Sequence, residues 1–455
     1  MPSSTTSDER VGTAHVAPKI VYAPDELVGV PELWRGDVVV VGGGSAGSTA
    51  AVAAARTGAR TLLLESGGFL GGTGTRVLDT FYGFYVPGVD SPRVVGGIGW
   101  EVCERLAAVG ASFERPNTYG AGTGVTYDPE TLKVVWDELV LESGATLLFY
   151  ALVTAVVVDG VRVVGVVAET RQGPRVVYAD VVVDASGEAE VAWRVDATVD
   201  SLPSPSGLQP ATATFRIAGV AEESAGSKRL HELLRAAADS GAYRLPRLEG
   251  STHVTTVPGV RHANMTRVAG KDLTDPWQLT WAEQEGRRQV LEYVRFLQDL
   301  VPGYSDARLV SVSPRLGVRE SRRLDGEYVL DRDDFLDSRT HPDDIGVCGQ
   351  PLEDHGAGSA TRWEYVGGGP EPTGRAYGIP LGTLVPRAVD GLLVAGRCLS
   401  ATHEAHASVR SIGQCMTMGH AAGITAAIAA DTGAAPRSVD RRRVRRELAA
   451  AGAIL

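Results

Sequence analysis

The chain has 455 residues, enough for two domains or for one large domain carrying an insertion. A formal net charge of −11 leaves no broad basic surface to offset nucleic-acid phosphates, although a local arginine cluster can still meet a small anion. The four cysteines (Cys103, Cys348, Cys398, Cys415) form no C-x-x-C pair, which argues against iron–sulfur, zinc and disulfide frameworks. The first 20 residues have no apolar core, and no uncharged apolar run reaches the ~18 residues a membrane span needs. The expected location is the cytoplasm, with neither a membrane nor a nucleic-acid partner.

Residues 1–33 are polar and punctuated by proline, and read as a flexible arm. Asp37 to Val41 is a β-branched run suited to a buried parallel strand. The glycine loop Gly42 to Gly47 follows, then an alanine-rich helix to about Arg56, closed by Gly58, then a second strand, Thr61 to Leu64, ending in Glu65. Asp128 and Pro129 open another helix as N-cap and first-turn residue, and Gly144 ends it. Val-rich runs at 152–158 and 161–168, joined by Asp159-Gly160, predict a hairpin. A third run, Arg175 to Val183, leads into Asp184-Ala-Ser-Gly187, so that a small antiparallel meander returns to the parallel sheet.

From Ser201 the texture changes. A Pro/Ser connector at 202–206 precedes a polar helix near 221–239. A second helix is expected from about Trp281 to Leu300, with Thr280 and Glu283 as a capping box and Pro302-Gly303 as its stop. The first texture resumes with the buried strand and glycine turn Gly391 to Arg397 and a small-residue helix from Ser411 to about Ala430. The basic run 441–447 reads as the solvated face of a last helix.

The spacing Gly42, Gly44, Gly47 is a G-x-G-x-x-G between strand and helix, with an acid, Glu65, 18 residues past the last glycine. Gly42 makes the turn, Gly44 lets backbone approach a diphosphate, Gly47 packs helix on strand, and the helix N-terminus offers N–H groups and partial positive charge. Glu65 is placed to accept from ribose hydroxyls. Further glycine turns at Gly67 to Gly74, at Asp184 to Gly187 and at Gly391 to Arg397 suit an extended FAD better than a nicotinamide cofactor. No second fingerprint follows a strand, so a separate NAD(P)H domain is not expected. The fold class read from this is α/β: a Rossmann-like FAD-binding domain with a β-meander and an inserted α+β substrate domain. The expected division is an arm at 1–33, a discontinuous FAD domain at 34–205 and 376–435, the insertion at 206–375, and a terminal helix or tail at 436–455.

Five stretches carry a resemblance: DVVVVGGGSAGSTAAVAAARTGARTLLLESGGFLGGTGT, TYDPETLKVVWDELVLESGA, VVVDASGEAEVA, PRLGVRESRRLDGEYVL and YGIPLGTLVPRAVDGLLVAGRCLSATHEAHASVRSIGQCMTMGHAAG. Together they resemble the FAD-dependent oxidoreductase family of the glutathione-reductase-like flavoproteins, on the side shared with fumarate reductases and succinate dehydrogenases. The resemblance implies noncovalent FAD and places Gly42, Gly44, Ser45, Ala46, Gly47, Glu65, Ser66, Gly72 and Thr73 along it. It adds Val153, through its backbone to adenine, with Ala185, Gly187, Gly396 and Arg397. Residues 401–410 should face the isoalloxazine ring, and a helix beginning near Ser411 and Ile412 should aim its N–H groups at the flavin pyrimidine. Thr73 and His406 depart from the family pattern, and His406 opens the prospect of a specialised substrate pocket.

Catalytic candidates follow from that placement. His403 or His406 could serve as base while hydride leaves the substrate, or either could simply hydrogen-bond the loop or the FAD. Glu404 completes an H-E-x-H, but three side chains on a loop have little reason to converge, so no metal is expected. Arg410 shares the segment. Arg319, with Glu320, Arg322 and Arg323, suits an anionic substrate group or, more blandly, ion pairs within the protein. The expected activity is that of a FAD-dependent dehydrogenase or oxidase. It removes a hydride from a CH–OH, CH–NH or CH–CH unit of a small organic substrate to flavin N5 and passes electrons to oxygen or an external acceptor. The alternative is a flavoprotein whose FAD is structural or assists a non-redox elimination or isomerisation. A homo-oligomer is left open.

Overall fold

A computed structural model describes residues 19–88, 91–117, 120–199, 204, 207–356 and 361–455. Its main sheet is organised by the twelve-residue strand Gly173–Asp184, which belongs to two kinds of pairing at once. Its first half runs antiparallel to Arg162–Thr170, which in turn pairs with Leu152–Asp159, the meander expected from the Asp159-Gly160 turn. Its second half lies parallel to Leu392–Val394, while its other edge runs parallel to Glu32–Val41. Thr61–Glu65 and Thr146–Phe149 extend the parallel side. Val38, Val39 and Val40 are fully buried, as the uninterrupted apolar run requires of a strand covered on both faces.

One face is covered by the helix Ser45–Arg56 together with the long helix Ile412–Thr432. These two meet backbone to backbone. A Cβ on Gly419 would fall 2.1 Å from the Ala46 carbonyl oxygen, and one on Gly423 would fall 2.3 Å from that of Ala50. The helix Pro129–Ser143 has the expected cap, Asp128 accepting from Glu130 N–H, and ends on left-handed Gly144.

A separate antiparallel sheet orders its strands Ser251–Val254, Val260–Asn264, Phe215–Ala218 and Arg308–Val312. With the helices Ser227–Asp239 and Pro276–Leu300 it encloses an apolar cluster of its own, including Phe215, Ile217, Leu234, Tyr293 and Phe296.

Three expectations need correction. The helix expected from Trp281 starts at Pro276, because Asp275 caps it by accepting from the N–H groups of Trp277 and Gln278. The Thr280–Glu283 box therefore does not form: Thr280 donates to the Pro276 carbonyl within the helix, and Glu283 accepts from Leu316 N–H. Asp-Pro supplies N-cap and first-turn residue together, and wins over a weaker signal downstream. The helix expected from 221 begins at Ser227. Residues 1–18 of the expected arm lie outside the described residues, but within its remainder Val21–Tyr22 pairs in parallel with Val156–Val157 as a short edge strand. Of the 202–206 connector, only Ser204 is described.

Replacing Gly423 with valine drives a branched side chain into the Ala50 carbonyl, a backbone contact that cannot swing aside. The expected outcome is a loss of about 1–3 kcal/mol, seen as a lower denaturation midpoint at an unchanged m-value.

Candidate functional site

The C-terminal ends of the strands Glu32–Val41, Thr61–Glu65 and Gly173–Asp184 lie side by side at one edge of the sheet. Gly42 holds φ +96°, and Gly47 admits no side chain, since its Cβ would lie 1.8 Å from the Gly42 carbonyl oxygen. By contrast a Cβ on Gly44 would meet only the Gly72 Cα, at 3.9 Å, so the loop is open on that side. Gly44 is also the N-cap of the helix Ser45–Arg56, and no side chain caps it. Ser45 and Ala46, in its first turn, are nearly buried. An uncapped helix start facing an open glycine edge suits a diphosphate.

Glu65 is more heavily committed than the spacing alone implies. Its carboxylate accepts from Gly43 N–H at 2.8 Å and Gly67 N–H at 2.6 Å, and pairs with Arg76 at 2.7 Å. Burial pushes its pKa up, but Arg76 and the two N–H groups outweigh that and hold it below the ordinary value. A ribose hydroxyl would have to share what acceptor capacity remains. Ser66 and Thr73 are exposed beside it, with Gly72 half-buried. Val153 is nearly buried on its strand opposite Ala168. Asp184, fully buried, accepts from the N–H groups of Ser186, Val191 and Ala192, which fixes the turn carrying Ala185 and Gly187. Gly396 packs over Ala46, and Arg397 donates to Ser321 Oγ at 3.0 Å and pairs with Glu188. Ser411 is the N-cap of the long helix and Ile412 its first, buried residue. Gln414 Nε2 donates to the Gly83 carbonyl at 2.9 Å, anchoring that helix start to the loop at 82–84.

His403, Glu404 and His406 lie on a short helix, His403–Val409, capped by Thr402, rather than on a loop. They diverge. Glu404 joins Arg362 at 2.8 Å in a partly exposed network. His406 is fully buried, with Nε2 2.8 Å from the Arg397 carbonyl, and burial drives its pKa down to about 3. Its Nδ1 is buried and has no partner among the described residues. His403 is different: Nδ1 lies 2.8 Å from Glu320 and Nε2 3.3 Å from Asp354, and these two carboxylates raise its pKa to about 9.

Around His403 the chain gathers further polar groups. Arg410 donates to Gln209 Oε1 at 2.9 Å, while its Nε and the Gln209 Nε2 are buried without a partner among the described residues. Arg319 donates to the Pro210 carbonyl at 2.6 Å; burial, then the charges of Arg247 and Arg410, hold its pKa well below the usual arginine value. Glu353 pairs with His355 at 3.1 Å, and His355 and the two arginines hold it ionised against the cost of enclosure. Arg323 and Arg322 take the blander part: the first pairs with Glu320 at 2.8 Å, and the second stacks over Trp193 and faces Glu190. Asp354 and the Glu353–His355 pair were not among the expected site residues, although three titratable residues in a row at 353–355 were a signal. A separate cluster, Asp79, His253 and His262, also escaped the reading, because it joins residues more than 170 positions apart.

A parallel sheet with an uncapped, glycine-lined helix start at its C-terminal edge, and a second helix start anchored beside it, defines a dinucleotide-binding flavoprotein. Residues 37–448 match the family described as FAD dependent oxidoreductase, and the chain belongs to that family, with FAD as its cofactor. No curated protein matches the chain. Among solved structures it is similar to a geranylgeranyl bacteriochlorophyll reductase-like protein from Thermoplasma acidophilum, at 14% identity over 91% of this chain and 82% of that one, with a TM-score of 0.46. A flavin-dependent brominase shares 14% identity over 91% of this chain and 83% of its own, at a TM-score of 0.47. Anhydrotetracycline hydroxylase from Streptomyces rimosus shares 16% over 92% and 68%, at 0.45. Among the described residues no helix is long and apolar enough to cross a membrane.

Glu65→Gln turns an N–H donor toward Gly43, Gly67 or Arg76, at a cost of about 1–3 kcal/mol in a buried site. The expected result is a protein that loses flavin on gel filtration, with FAD affinity lowered more than tenfold on readdition.

Proposed function

We propose that the protein is a dehydrogenase or oxidase whose substrate is a small organic anion, with noncovalent FAD laid along residues 42–47, 65–73, 153, 185–187, 396–397 and 411–412. The reading extends to the glutathione-reductase-like group on its fumarate-reductase side, with 34–205 and 376–435 holding FAD and 206–375 covering the substrate. The observation that carries it is the juxtaposition of His403, held between Glu320 and Asp354, with the half-buried guanidinium of Arg410 and the nearby Arg319.

FAD, when bound, would supply the acceptor for the hydride, which carries both electrons. The remaining tasks fall to the chain. Arg319 and Arg410, crowded with Arg247 in an enclosed region, are held together at a cost that an anionic substrate group would relieve. The Glu353 carboxylate partly balances them and keeps the pocket from attracting any anion indiscriminately. His403, close to Arg410 in the chain, takes the proton from the substrate O–H or N–H. Asp354 and Glu320 fix its ring and stabilise the imidazolium that results. His406 and Glu404, expected as alternatives, are left with packing and surface pairing.

The protonation state sets a pH dependence. With its pKa raised to about 9, His403 is charged at neutral pH and cannot accept a proton. The base form grows as pH rises through about 9, so kcat/KM for substrate oxidation should climb toward that value and level off above it. His403→Gln should remove the limb and lower the rate by about 10²–10⁴, while ligand affinity changes little. Anaerobic mixing with hydroxy-, amino- and saturated carboxylates should bleach the visible flavin bands for one of the three classes. Failure of all three, with FAD bound, would overturn the reading.

A further inference from the structure

Asp79, His253 and His262 take no part in the chemistry above. His253 and His262 stand directly opposite each other on the antiparallel strands Ser251–Val254 and Val260–Asn264, with rings edge to face at 4.9 Å. Asp79 reaches them from the segment after the Thr73–Arg76 turn. All three side chains are at least nine-tenths buried. Asp79 Oδ1 lies 2.7 Å from His253 Nε2 and 3.1 Å from His262 Nδ1, and the two nitrogens are 3.3 Å apart. A cation at the about 2.0–2.2 Å usual for zinc would sit about 1 Å above that triangle, touching all three from one side.

With both imidazoles neutral, the protons within the cluster do not balance. The other nitrogen of His262, Nε2, faces the Val77 carbonyl at 3.1 Å and must donate to it. In a neutral ring that leaves Nδ1 a lone pair, pointed at a carboxylate oxygen that also offers only lone pairs. The second oxygen, Oδ2, is buried and accepts from nothing among the described residues. A backbone carbonyl behind one imidazole, with the opposite nitrogen facing a carboxylate, is the outer arrangement that orients metal-ligating histidines. Arg115 stays behind the cluster, donating to the hydroxyls of Thr80 and Thr126. We infer that Asp79, His253 and His262 bind one divalent transition-metal ion of the zinc class, with an open fourth position. Two imidazoles and one carboxylate suit zinc, cobalt(II) or iron(II) better than magnesium or calcium. The ion would tie the segment next to the flavin loop to the four-stranded sheet.

The test uses the full-length flavoprotein without a histidine tag, dialysed against chelator and titrated with Co²⁺ alone, read in the visible beyond the flavin bands. One Co²⁺ per chain is expected, displaced by Zn²⁺, with a rise in the thermal midpoint. Asp79→Asn and His262→Gln should each weaken binding by more than the about 10–100-fold that loss of an outer partner costs, while His341→Gln should leave it unchanged. Absence of stoichiometric binding by the wild-type protein, or wild-type affinity in both ligand variants, would overturn the site. Should the variants not fold, X-ray absorption of the Zn²⁺-loaded wild-type protein decides: two imidazoles with oxygen support it, and a sulfur-containing or histidine-free shell sinks it.

Discussion

Backbone touches backbone where the helix Ser45–Arg56 crosses Ile412–Thr432, and the site inherits its geometry from that contact. Gly419 and Gly423 bring the second helix down onto the Ala46 and Ala50 carbonyls, and Gly396 lets the incoming strand turn over Ala46. Two helix starts separated by more than 360 residues are thereby set at one edge of one sheet. Side chains at these glycines would lift the long helix away from the first. They would also tilt the N-terminus that Gln414 anchors to Gly83. Packing here defines the distance between two helix starts at one sheet edge, and so matters for more than stability.

Around this frame the charges are arranged against the sign of the whole. The chain is acidic overall, yet its arginines 247, 319 and 410 gather near the half-buried Glu353, itself paired with His355. Burial holds Arg319 and Arg410 below their ordinary basicity, and the charges of Arg247 and Arg410 add to this at Arg319. His403 sits at the border of this group, with carboxylates on both ring nitrogens. The same short helix therefore carries a strongly basic imidazole at 403 and a neutral one three residues later at 406. Sequence position alone cannot separate the two; what differs is which face of the helix meets carboxylates.

That contrast marks where sequence reading succeeds. The glycine loop, the βαβ unit, the Asp159-Gly160 hairpin and the Asp128 cap are written in neighbouring residues, and local geometry answers to them. The start of the helix at Pro276 was written locally as well, but two cap signals competed and the proline decided. The partners of His403 are another matter. Glu320 lies 83 positions away, and Asp79 finds His253 across 174. No periodicity connects such residues. Only the tertiary fold brings them together, and local sequence patterns carry no trace of it.

The strand Gly173–Asp184 has a further effect, on how the molecule comes into being. Val182 pairs with Val39 on one side and with Leu392 on the other, 210 positions further along the chain. At about 5–20 residues per second, a ribosome needs roughly 10–40 s to make that interval. Until then the second half of this Val-rich strand has an unpaired edge, beside a meander already able to close. A nascent chain in that state exposes an apolar template to its neighbours. For this protein the hazardous period of synthesis is therefore the making of the four-stranded sheet, long after the cofactor loop itself has left the ribosome.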